Sequence, residues 1–300
     1  MITPRQLQAR YEQGENITAL LRSEQLTAHN TEEIIEISYD LQTGSYVAAL
    51  ENPEYAKFKS QYVAAIAETI SSLCQPQTIL EAGVGEATTL SGVLQHFRHE
   101  VDSYGFDLSW SRTAYAKRWL ASQGLDKTFL CTGSLFHIPF ADNSIDVVYT
   151  SHSIEPNGGS EQPILEELYR VTRKYLVLLE PGYEWADQVS RERMEKHGYC
   201  KNLRGISESL GYQVDRHEAF SISANPVNPT ALTVIAKLAD APVASHIHAC
   251  PRFKTPLEEI GNVMSSPEAL VAYPILGGIP CLRIENGIFA SKLNTILKAG

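Results

Sequence analysis

The chain has 300 residues, of which 43% are hydrophobic and 20% are charged. It is too long for one minimal domain, and its apolar content is high enough to bury a core, which excludes a globally disordered chain. Lysine and arginine together number 25 and aspartate and glutamate 35, so the formal net charge is −10. Binding of DNA or bulk RNA needs a broad basic surface, and this charge argues against one.

The absence of targeting signals and the cysteine content favour a cytoplasmic protein. No apolar run approaches the roughly 18 residues that a membrane-spanning helix needs, and the N-terminal segment lacks the apolar stretch of a secretory signal. The five cysteines are odd in number and widely scattered. Such a set is not a disulfide framework and is typical of a reducing cytosol.

The first 76 residues are predicted to be helical, weakly up to residue 30 and strongly beyond it. Thr31 and the two glutamates after it are typical of a helix N-cap with an acidic first turn. Apolar residues then recur at helical spacing up to Pro53, which is expected to stop this helix. A second helix over residues 54–73 carries one apolar face.

From residue 77 onward, strands and helices alternate. Apolar strands are predicted at residues 78–85, 101–109, 127–133, 144–153 and 174–182. Intervening helices of about 10–15 residues imply parallel β-α-β units and an α/β fold. Two late strands, residues 212–220 and 231–239, have no helical pattern between them and predict an antiparallel hairpin at the sheet edge. A linker at 239–246 leads to a small tail of short strands and turns, residues 246–300.

Two signals mark a ligand site at the carboxyl ends of the strands. Gly83 and Gly85 follow the first strand directly, where glycines permit a tight turn and close approach of a ligand. The preceding Glu81 disfavours a pyrophosphate and suits a cationic ligand. Asp107 ends the second strand, where a carboxylate can accept hydrogen bonds from both hydroxyls of a ribose. Taken singly, the glycines also fit an ordinary strand-turn-helix, and Asp107 also fits a helix cap.

The order of the motifs resembles the class I S-adenosylmethionine-dependent methyltransferases. The segments that carry the resemblance lie within residues 77–240 and read E-x-G-x-G-x-A, GFD, TGSLFHIPFADNSIDVVYTSHSIEP and LVLLEPG. The resemblance implies a seven-stranded Rossmann-like sheet with a reversed last strand, an N-terminal helical lid over residues 1–76, and S-adenosylmethionine as the cofactor.

The resemblance also implies cofactor contacts. Glu81, Gly83 and Gly85 would line the methionine part, and Asp107 would hold the ribose. The contacts implied near the adenine and the methyl group are Leu108, Ser134, Leu135 and Ser151. Two positions depart from the family pattern: Ala87 stands where a third glycine often lies, and Ser134 where many members have an acid that bonds the adenine amine. We therefore expect a weaker or rearranged adenine contact from the Ser134 hydroxyl.

The tail resembles the small zinc-ribbon-like proteins and domains that bind some methyltransferases as activators. The similarity lies in CPRFKTPLEEI and ALVAYPILGGIPCLRIE. The paired cysteines of a zinc ribbon are missing, because Cys250 is followed by Phe253 where its partner would stand. Four thiolates cannot be assembled, so no metal site is predicted. Cys250 with His246 and His248 is a minor alternative ligand set.

His152, Glu155 and Glu180 are the candidate catalytic bases, since all three lie near carboxyl ends of strands. Methyl transfer from a sulfonium requires a positioned acceptor and, for a hydroxyl acceptor, removal of a proton. His152 has the most suitable unperturbed pKa. Each residue also has a structural interpretation, such as a backbone hydrogen bond for His152 or a turn cap for Glu155.

Tyr39, Gln42 and Tyr46 are spaced to share one face of the first strong helix. Together with Tyr183 they are the candidate substrate contacts. This segment resembles that of methyltransferases found in bacterial surface-polysaccharide or modified-sugar pathways, and aromatic and amide groups suit a sugar or nucleotide sugar. The alternative is that both lid tyrosines pack on the sheet.

The first functional hypothesis is O- or N-methylation of a small polar or glycan-type acceptor. A second is methylation of a protein or RNA with the tail as recognition module, although the acidic charge weighs against RNA and the segment after the fourth strand lacks an N/D-P-P-Y/F signature. A third is a binding module of the same fold without turnover. A dinucleotide oxidoreductase is disfavoured by Glu81 and the missing third glycine. The sequence leaves the oligomeric state open.

Overall fold

The computed structural model describes residues 2–223, 225–237 and 244–297. The helices are α1 (Pro4–Glu12), α2 (Ile17–Gln25), α3 (Glu32–Asp40), α4 (Ser45–Ala49), α5 (Pro53–Leu73), α6 (Thr88–His96), α7 (Trp110–Ser122), α8 (Glu161–Val171), α9 (Gln188–His197), α10 (Leu203–Ser209) and α11 (Leu293–Leu297). The strands are β1 (Thr78–Ala82), β2 (Asp102–Asp107), β3 (Phe129–Thr132), β4 (Ile145–Ser151), β5 (Thr172–Pro181), β6 (Gln213–Ala219), β7 (Thr230–Ala236), β8 (Glu258–Ile260), β9 (Val263–Ser266), β10 (Val271–Leu276), β11 (Ile279–Pro280) and β12 (Ile288–Phe289).

The first seven strands form one sheet in the order β3-β2-β1-β4-β5-β7-β6. Strands β1 to β5 pair in parallel, and β7 runs antiparallel between β5 and β6. The predicted α/β fold with a reversed last strand is confirmed. The strand order reverses between β1 and β4, and ligands of such sheets bind beyond the carboxyl ends of the strands at this point. Residues 238–243, which hold the predicted end of the last strand and most of the linker, lie outside the described residues.

Two hydrophobic cores cover the two faces of this sheet, because successive residues of a strand point to opposite faces. Ile79 of β1 packs in one core with Ile66 of α5 and Leu90 of α6. The next residue, Leu80, lies in the other core with Ile164 of α8. The helices on both faces thereby hold the strand ends rigidly, which positions the loops that follow them.

The predicted helix from Thr31 to Pro53 is divided in two, so that part of the prediction is wrong. Helix α3 ends at Asp40, and α4 begins after Gly44, whose φ is +94°. The buried Glu86 causes the break, because its carboxylate accepts the N–H groups of Gly44 (2.9 Å) and Val47 (2.8 Å) at the start of α4. Pro53 begins α5 at its first turn, where its missing N–H has no cost.

The tail forms a five-stranded antiparallel sheet from β8 to β12 that lies against the edge of the main sheet. The N–H of Leu282 donates to the carbonyl of Thr132 at the end of β3 (3.1 Å). Cys250 and Tyr273 of the tail belong to the same buried cluster as Leu80 of β1. The tail thus shares a buried cluster with the main sheet.

The side chains of the minor zinc alternative have other contacts. Cys250 Sγ lies 3.2 Å from the Tyr273 hydroxyl. His248 stacks on Phe129 with ring centroids 4.0 Å apart, and burial lowers the pKa of His248 to about 4. No group of three or more His, Cys, Asp or Glu side chains among the described residues is placed to hold a metal ion.

Within the described ranges, no helix combines the length and the apolar character needed to cross a membrane.

Candidate active site

Two adjoining cavities open at the carboxyl ends of β1, β2 and β4. Cavity A has a volume of about 120 Å³, and its walls include Glu32, Asp107, Leu108, Arg112, Leu135 and Phe136. Cavity B has a volume of about 410 Å³, and its walls include Lys59, Tyr62, Glu81, Glu155, Arg193 and Asn228. The residues that line both cavities are Tyr46, Gly83, Gly85, Ser151 and His152. The two cavities are therefore compartments of one cleft at the point where the strand order reverses.

The turn after β1 requires glycine at Gly83 for a steric reason. Gly83 has a φ of +76°, and a Cβ built there would lie 2.2 Å from Cβ of Ser153. Gly85 has a φ of +54°, and its N–H donates to Asp107 Oδ2. Ala87 also adopts a left-handed conformation, with a φ of +58°. Glycine is the unstrained residue in that conformation, so Ala87 carries backbone strain.

Asp107 lies at the end of β2, as predicted, and lines cavity A. Its two oxygens accept the N–H groups of Gly85 and Ser109, each at 2.9 Å. Burial raises the pKa of Asp107, while the charge of Arg112 and these two hydrogen bonds counteract the rise. Since a carboxylate has about four acceptor positions, two remain for a ligand such as a diol.

The Ser134 hydroxyl contacts Glu32 of α3 and is not a free cavity group. It donates to Glu32 Oε1 and accepts the N–H of Phe136 (3.0 Å). Ser134 is only 4% exposed, whereas Glu32 lines cavity A. The direct contact predicted for Ser134 is corrected for this reason: the hydroxyl holds Glu32, and the Glu32 carboxylate reaches the cavity beside Leu135.

Glu81 lies on the cavity B side, near a lysine that sequence reasoning missed. The Tyr149 hydroxyl donates to Glu81 Oε2 (3.0 Å), and Lys59 Nζ donates to Thr89 Oγ1 (2.6 Å). Burial raises the pKa of Glu81 and lowers the pKa of Lys59, while each charge favours the ionised form of the other. The two side chains therefore offset each other electrostatically.

His152 stands at the junction of the two cavities and has a strained backbone with a φ of +58°. Its Nδ1 lies 2.5 Å from Glu155 Oε2, and its Nε2 lies 2.9 Å from Thr230 Oγ1. Burial opposes the charged imidazolium, but the hydrogen bond and charge of Glu155 outweigh it and raise the pKa of His152. Because Glu155 accepts the proton on Nδ1, the neutral ring carries its lone pair on Nε2, as a general base requires.

Glu180 lies beneath the 153–155 turn, outside the walls of both cavities. Its Oε1 accepts the N–H groups of Ser153 and Ile154 (both 3.1 Å), and its Oε2 accepts the N–H of Glu155 (3.0 Å). Burial raises the pKa of Glu180 to about 7. The prediction of Glu180 as a catalytic base is corrected, since its oxygens hold the backbone that presents His152 and Glu155.

Tyr39 and Tyr46 both line cavity A, although they lie on separate helices. The buried Arg112 joins them: its Nε donates to the carbonyl of Tyr39 (2.7 Å), and its guanidinium lies 4.5 Å from the ring centroid of Tyr46. Nη2 of Arg112 is buried and has no hydrogen-bond partner among the described residues. The lid thus closes over a cation that the sequence analysis did not identify.

Gln42 and Tyr183 are not brought to the cleft, so their predicted substrate contacts are corrected. Gln42 lies in the turn after α3 and donates to the carbonyl of Ser38 (2.9 Å), because the helix that would have aligned it with Tyr46 ends before it. Tyr183 lies at the surface, where its hydroxyl donates to Glu195 Oε1 (2.7 Å).

Two of the missed residues had a signal in the sequence. Lys59 interrupts the apolar face of α5 between Tyr55 and Tyr62, and Arg112 lies four residues before Ala116 on the buried face of α7. A single charged side chain on an otherwise apolar helical face is rarely buried unless it is paired with another group. Glu32, Arg193 and Asn228 had no comparable signal, because exposed helical and loop positions carry such residues routinely.

Comparisons with known proteins agree with this architecture. Residues 79–175, about a third of the chain, match the family model described as a methyltransferase domain. No curated protein matches the chain in sequence. The fold is similar to magnesium protoporphyrin IX methyltransferase (ChlM) of Synechocystis PCC 6803 with bound SAH, with a TM-score of 0.53 and 12% identity over 69% of this chain and 100% of that chain.

Two further solved structures share the fold. A candidate O-methyltransferase of Nostoc punctiforme PCC 73102 has a TM-score of 0.51 and 13% identity over 67% of this chain and 60% of that chain. A complex of the Haloferax volcanii Trm112 methyltransferase activator with a candidate methyltransferase has a TM-score of 0.50 and 13% identity over 65% of this chain and 96% of that chain. At these identities the similarity shows the fold. The match of residues 79–175 to a methyltransferase domain agrees with the predicted enzyme class and with S-adenosylmethionine, the predicted cofactor.

Proposed function

We propose that the chain transfers the methyl group of S-adenosylmethionine to an oxygen or nitrogen atom of a small polar or glycan-type acceptor, such as one used in making surface polysaccharides or modified sugars. The observation that carries the proposal is the His152–Glu155 pair, whose ring and carboxylate lie 2.5 Å apart where the two cavities meet. Cavity A would hold the cofactor, and cavity B would hold the acceptor.

The residues of cavity A fit this cofactor. Asp107 keeps two acceptor positions for the ribose hydroxyls, and Leu108 and Leu135 offer apolar surface to the adenine. The buried Nη2 of Arg112 lacks a partner, and buried polar groups are rarely left unpaired. A carboxylate is the usual match for a guanidinium, so Arg112 would hold the carboxylate of the methionine part. Glu32 would supply the acid at the adenine edge in place of Ser134.

S-adenosylmethionine supplies a methyl group on a positively charged sulfur, so the protein mainly positions the acceptor and removes its proton. An acceptor hydroxyl would displace the Thr230 hydroxyl from His152 Nε2 and give its proton to that atom. Glu155 would stabilise the imidazolium that forms through its hydrogen bond to Nδ1. Tyr62 and Ser151, whose hydroxyls lie 3.0 Å apart, would limit where the acceptor can lie.

The division into a lid (residues 1–76), a cofactor-binding domain (77–240) and a tail (246–300) is part of the proposal. An ion pair between Arg283 of the tail and Glu36 of α3 (2.5 Å) supports a role of the tail in holding the lid. All five cysteines are free thiols, and the cytoplasmic location that they favour is an expectation of the same kind.

Replacement of Asp107 by alanine tests the cofactor site. Asp107→Ala should weaken binding of S-adenosylhomocysteine by roughly 1–3 kcal/mol, because charge-assisted hydrogen bonds to the ribose are lost. Calorimetric titration measures this, with NAD as a control ligand. Asp102→Ala is the matched control, since Asp102 is exposed at the opposite end of the same strand. Equal affinities in the two variants would contradict the placement of the cofactor, and cofactor binding without transfer to any acceptor would favour a module without turnover.

A further inference from the structure

Cavity B is lined by the charged side chains Lys59, Glu81, Glu155 and Arg193, together with His152. Lys59 and Glu81 each favour the ionised form of the other, and His152 is hydrogen-bonded to Glu155. Arg193 of α9 forms no ion pair with any residue of the described ranges. Its guanidinium therefore lies in the compartment that holds His152 without a carboxylate of the described residues in contact with it.

The guanidinium of Arg193 is placed to receive a ligand. It lies 5.5 Å from the ring centroid of Tyr199, which holds the side chain over an aromatic surface. Its Nη1 is buried and has no hydrogen-bond partner in the described part of the chain. Buried N–H groups of native proteins are nearly always paired, so this N–H is available to an acceptor group of a ligand.

A second unpaired atom lies in the same cavity. The side-chain amide of Asn228 donates through Nδ2 to Glu155 Oε2 (3.1 Å), and its Oδ1 is buried and has no partner among the described residues. The Glu155 carboxylate accepts only, which fixes Nδ2 toward it and leaves the carbonyl oxygen available as an acceptor. Cavity B thus combines a cationic donor and a neutral acceptor that are both unpaired within the described residues, and His152 lines the same cavity.

We propose that the methyl acceptor is an anionic hydroxy compound, whose carboxylate or phosphate binds Arg193 and one of whose hydroxyls donates to Asn228 Oδ1. This inference rests on the proposed function and narrows its substrate class. The planar guanidinium suits either anion, because it can donate two parallel hydrogen bonds to both. Neutral sugars would leave Arg193 unpaired and bind more weakly.

Anion binding to the chain saturated with S-adenosylhomocysteine tests the proposal. Acetate and inorganic phosphate are titrated separately at constant ionic strength, and the anion that binds more tightly identifies the anionic group. Arg193→Gln should lower the affinity for that anion by about 10- to 100-fold, because a charge-assisted hydrogen bond is lost. Arg191→Gln is the matched control on the same helix, since Arg191 donates to the carbonyls of Tyr183 and Glu184 and lies away from cavity B.

The affinity for S-adenosylhomocysteine distinguishes failure of this proposal from failure of the proposed function. This affinity should be the same in Arg193→Gln and in the unaltered chain, and equal values would also show that the variant is folded. Anion affinity that is absent, or equal in both Arg193 and Arg191 variants, overturns the proposal. If Arg193→Gln also loses affinity for S-adenosylhomocysteine, the proposal is overturned, because Arg193 would then contribute to cofactor binding. Failure of the unaltered chain to bind S-adenosylhomocysteine would instead refute the proposed function.

Discussion

Cavities A and B lie side by side, yet they are built differently. One side of cavity A is formed by the turns after β1, β2 and β3, which include Gly83 and Asp107, and side chains of α3 and α4 such as Tyr39 and Tyr46 complete it. Cavity B is formed by long side chains from α5 and α9 and from the loop before β7, such as Lys59 and Arg193. The position of the first group of residues is determined by the strand-turn-helix units of the fold. The position of the second group depends on how helices from distant parts of the chain pack over those units.

This difference teaches where specificity can vary in such a fold. The turn at Gly83 and the carboxylate of Asp107 are tied to backbone N–H groups, so they cannot change without disturbing the sheet. Arg193 and Asn228 contact other side chains of the cleft, Tyr199 and Glu155, so we expect their replacement to leave the main sheet intact. Variants of the two cavities should therefore affect different measurements.

The largest expected effect is on turnover, in the His152→Ala variant. Loss of a general base typically lowers kcat by about 100- to 10,000-fold, whereas affinity for S-adenosylhomocysteine should stay unchanged. Methyl transfer from radiolabelled S-adenosylmethionine measures this, with the acceptor that a screen of sugars and hydroxy acids identifies. His217→Ala is the matched control, because His217 also bonds a threonine of β7, Thr233 (2.9 Å), but lies outside the cleft. Equal kcat values for both variants would refute His152 as the base.

The next effect is on stability, in the Gly83→Ala variant. The new Cβ would lie 2.2 Å from Ser153 Cβ and would sit in a left-handed conformation, so we expect the free energy of unfolding to fall by about 2 kcal/mol or more. Gly14→Ala isolates the conformational part, since Gly14 has a φ of +84° and no atom within 4 Å of its Cβ position. That control should lose only about 1 kcal/mol. Chemical unfolding measures the free energy of unfolding of both variants. Equal decreases would show that Ser153 can move away from the new Cβ at little cost.

The Glu155→Gln variant should change the pH dependence of methyl transfer. The base works when His152 is neutral, so the rate should rise as the pH increases through the pKa of His152, which lies above its ordinary value. Without the carboxylate, burial dominates and the pKa of His152 falls, so the rising limb of the kcat profile should move to lower pH. A limb that keeps its position would show that Glu155 does not set the pKa of His152.

The smallest expected effect is in Glu32→Gln, at the outer end of cavity A. An amide can still accept from Ser134 but loses the charge at the predicted adenine edge, so affinity for S-adenosylhomocysteine should fall by about 1 kcal/mol. Glu33→Gln is the control, because Glu33 is the exposed neighbour on the same helix. If calorimetry finds equal affinities for S-adenosylhomocysteine in the two variants, Glu32 does not contribute to the cofactor site.

Most of cavity A could be predicted from the sequence, because its groups follow strands directly. Gly83 and Asp107 were located by their position at the end of an apolar run, and Leu108 by the family resemblance; the structure places all three in the wall. Ser134 was located equally well, but the group that bonds it was not, since Glu32 is 102 residues away along the chain. Local spacing identifies positions, and it does not identify long-range partners.

Cavity B shows the opposite behaviour. His152 and Glu155 were predicted as separate candidate bases because they follow β4, and the structure brings them together as a hydrogen-bonded pair. Glu180 was predicted by the same reasoning, yet its carboxylate turns toward three backbone N–H groups instead of the cleft. A strand end specifies where a side chain begins, whereas the hydrogen-bond donors around it decide where the side chain points.

The sequence by itself predicted the α/β fold and the antiparallel edge hairpin, because hydrophobic periodicity acts over short distances. The reversed last strand and the enzyme class were implied by the resemblance of the ordered motifs to class I methyltransferases. Only the tertiary structure decided that Glu86 breaks the lid helix, that Glu32 reaches the cavity past Ser134, and that Nη1 of Arg193 is buried without a partner among the described residues. These features depend on charges and hydrogen bonds between segments far apart in the chain. Their partners are selected by packing, which local sequence patterns do not encode.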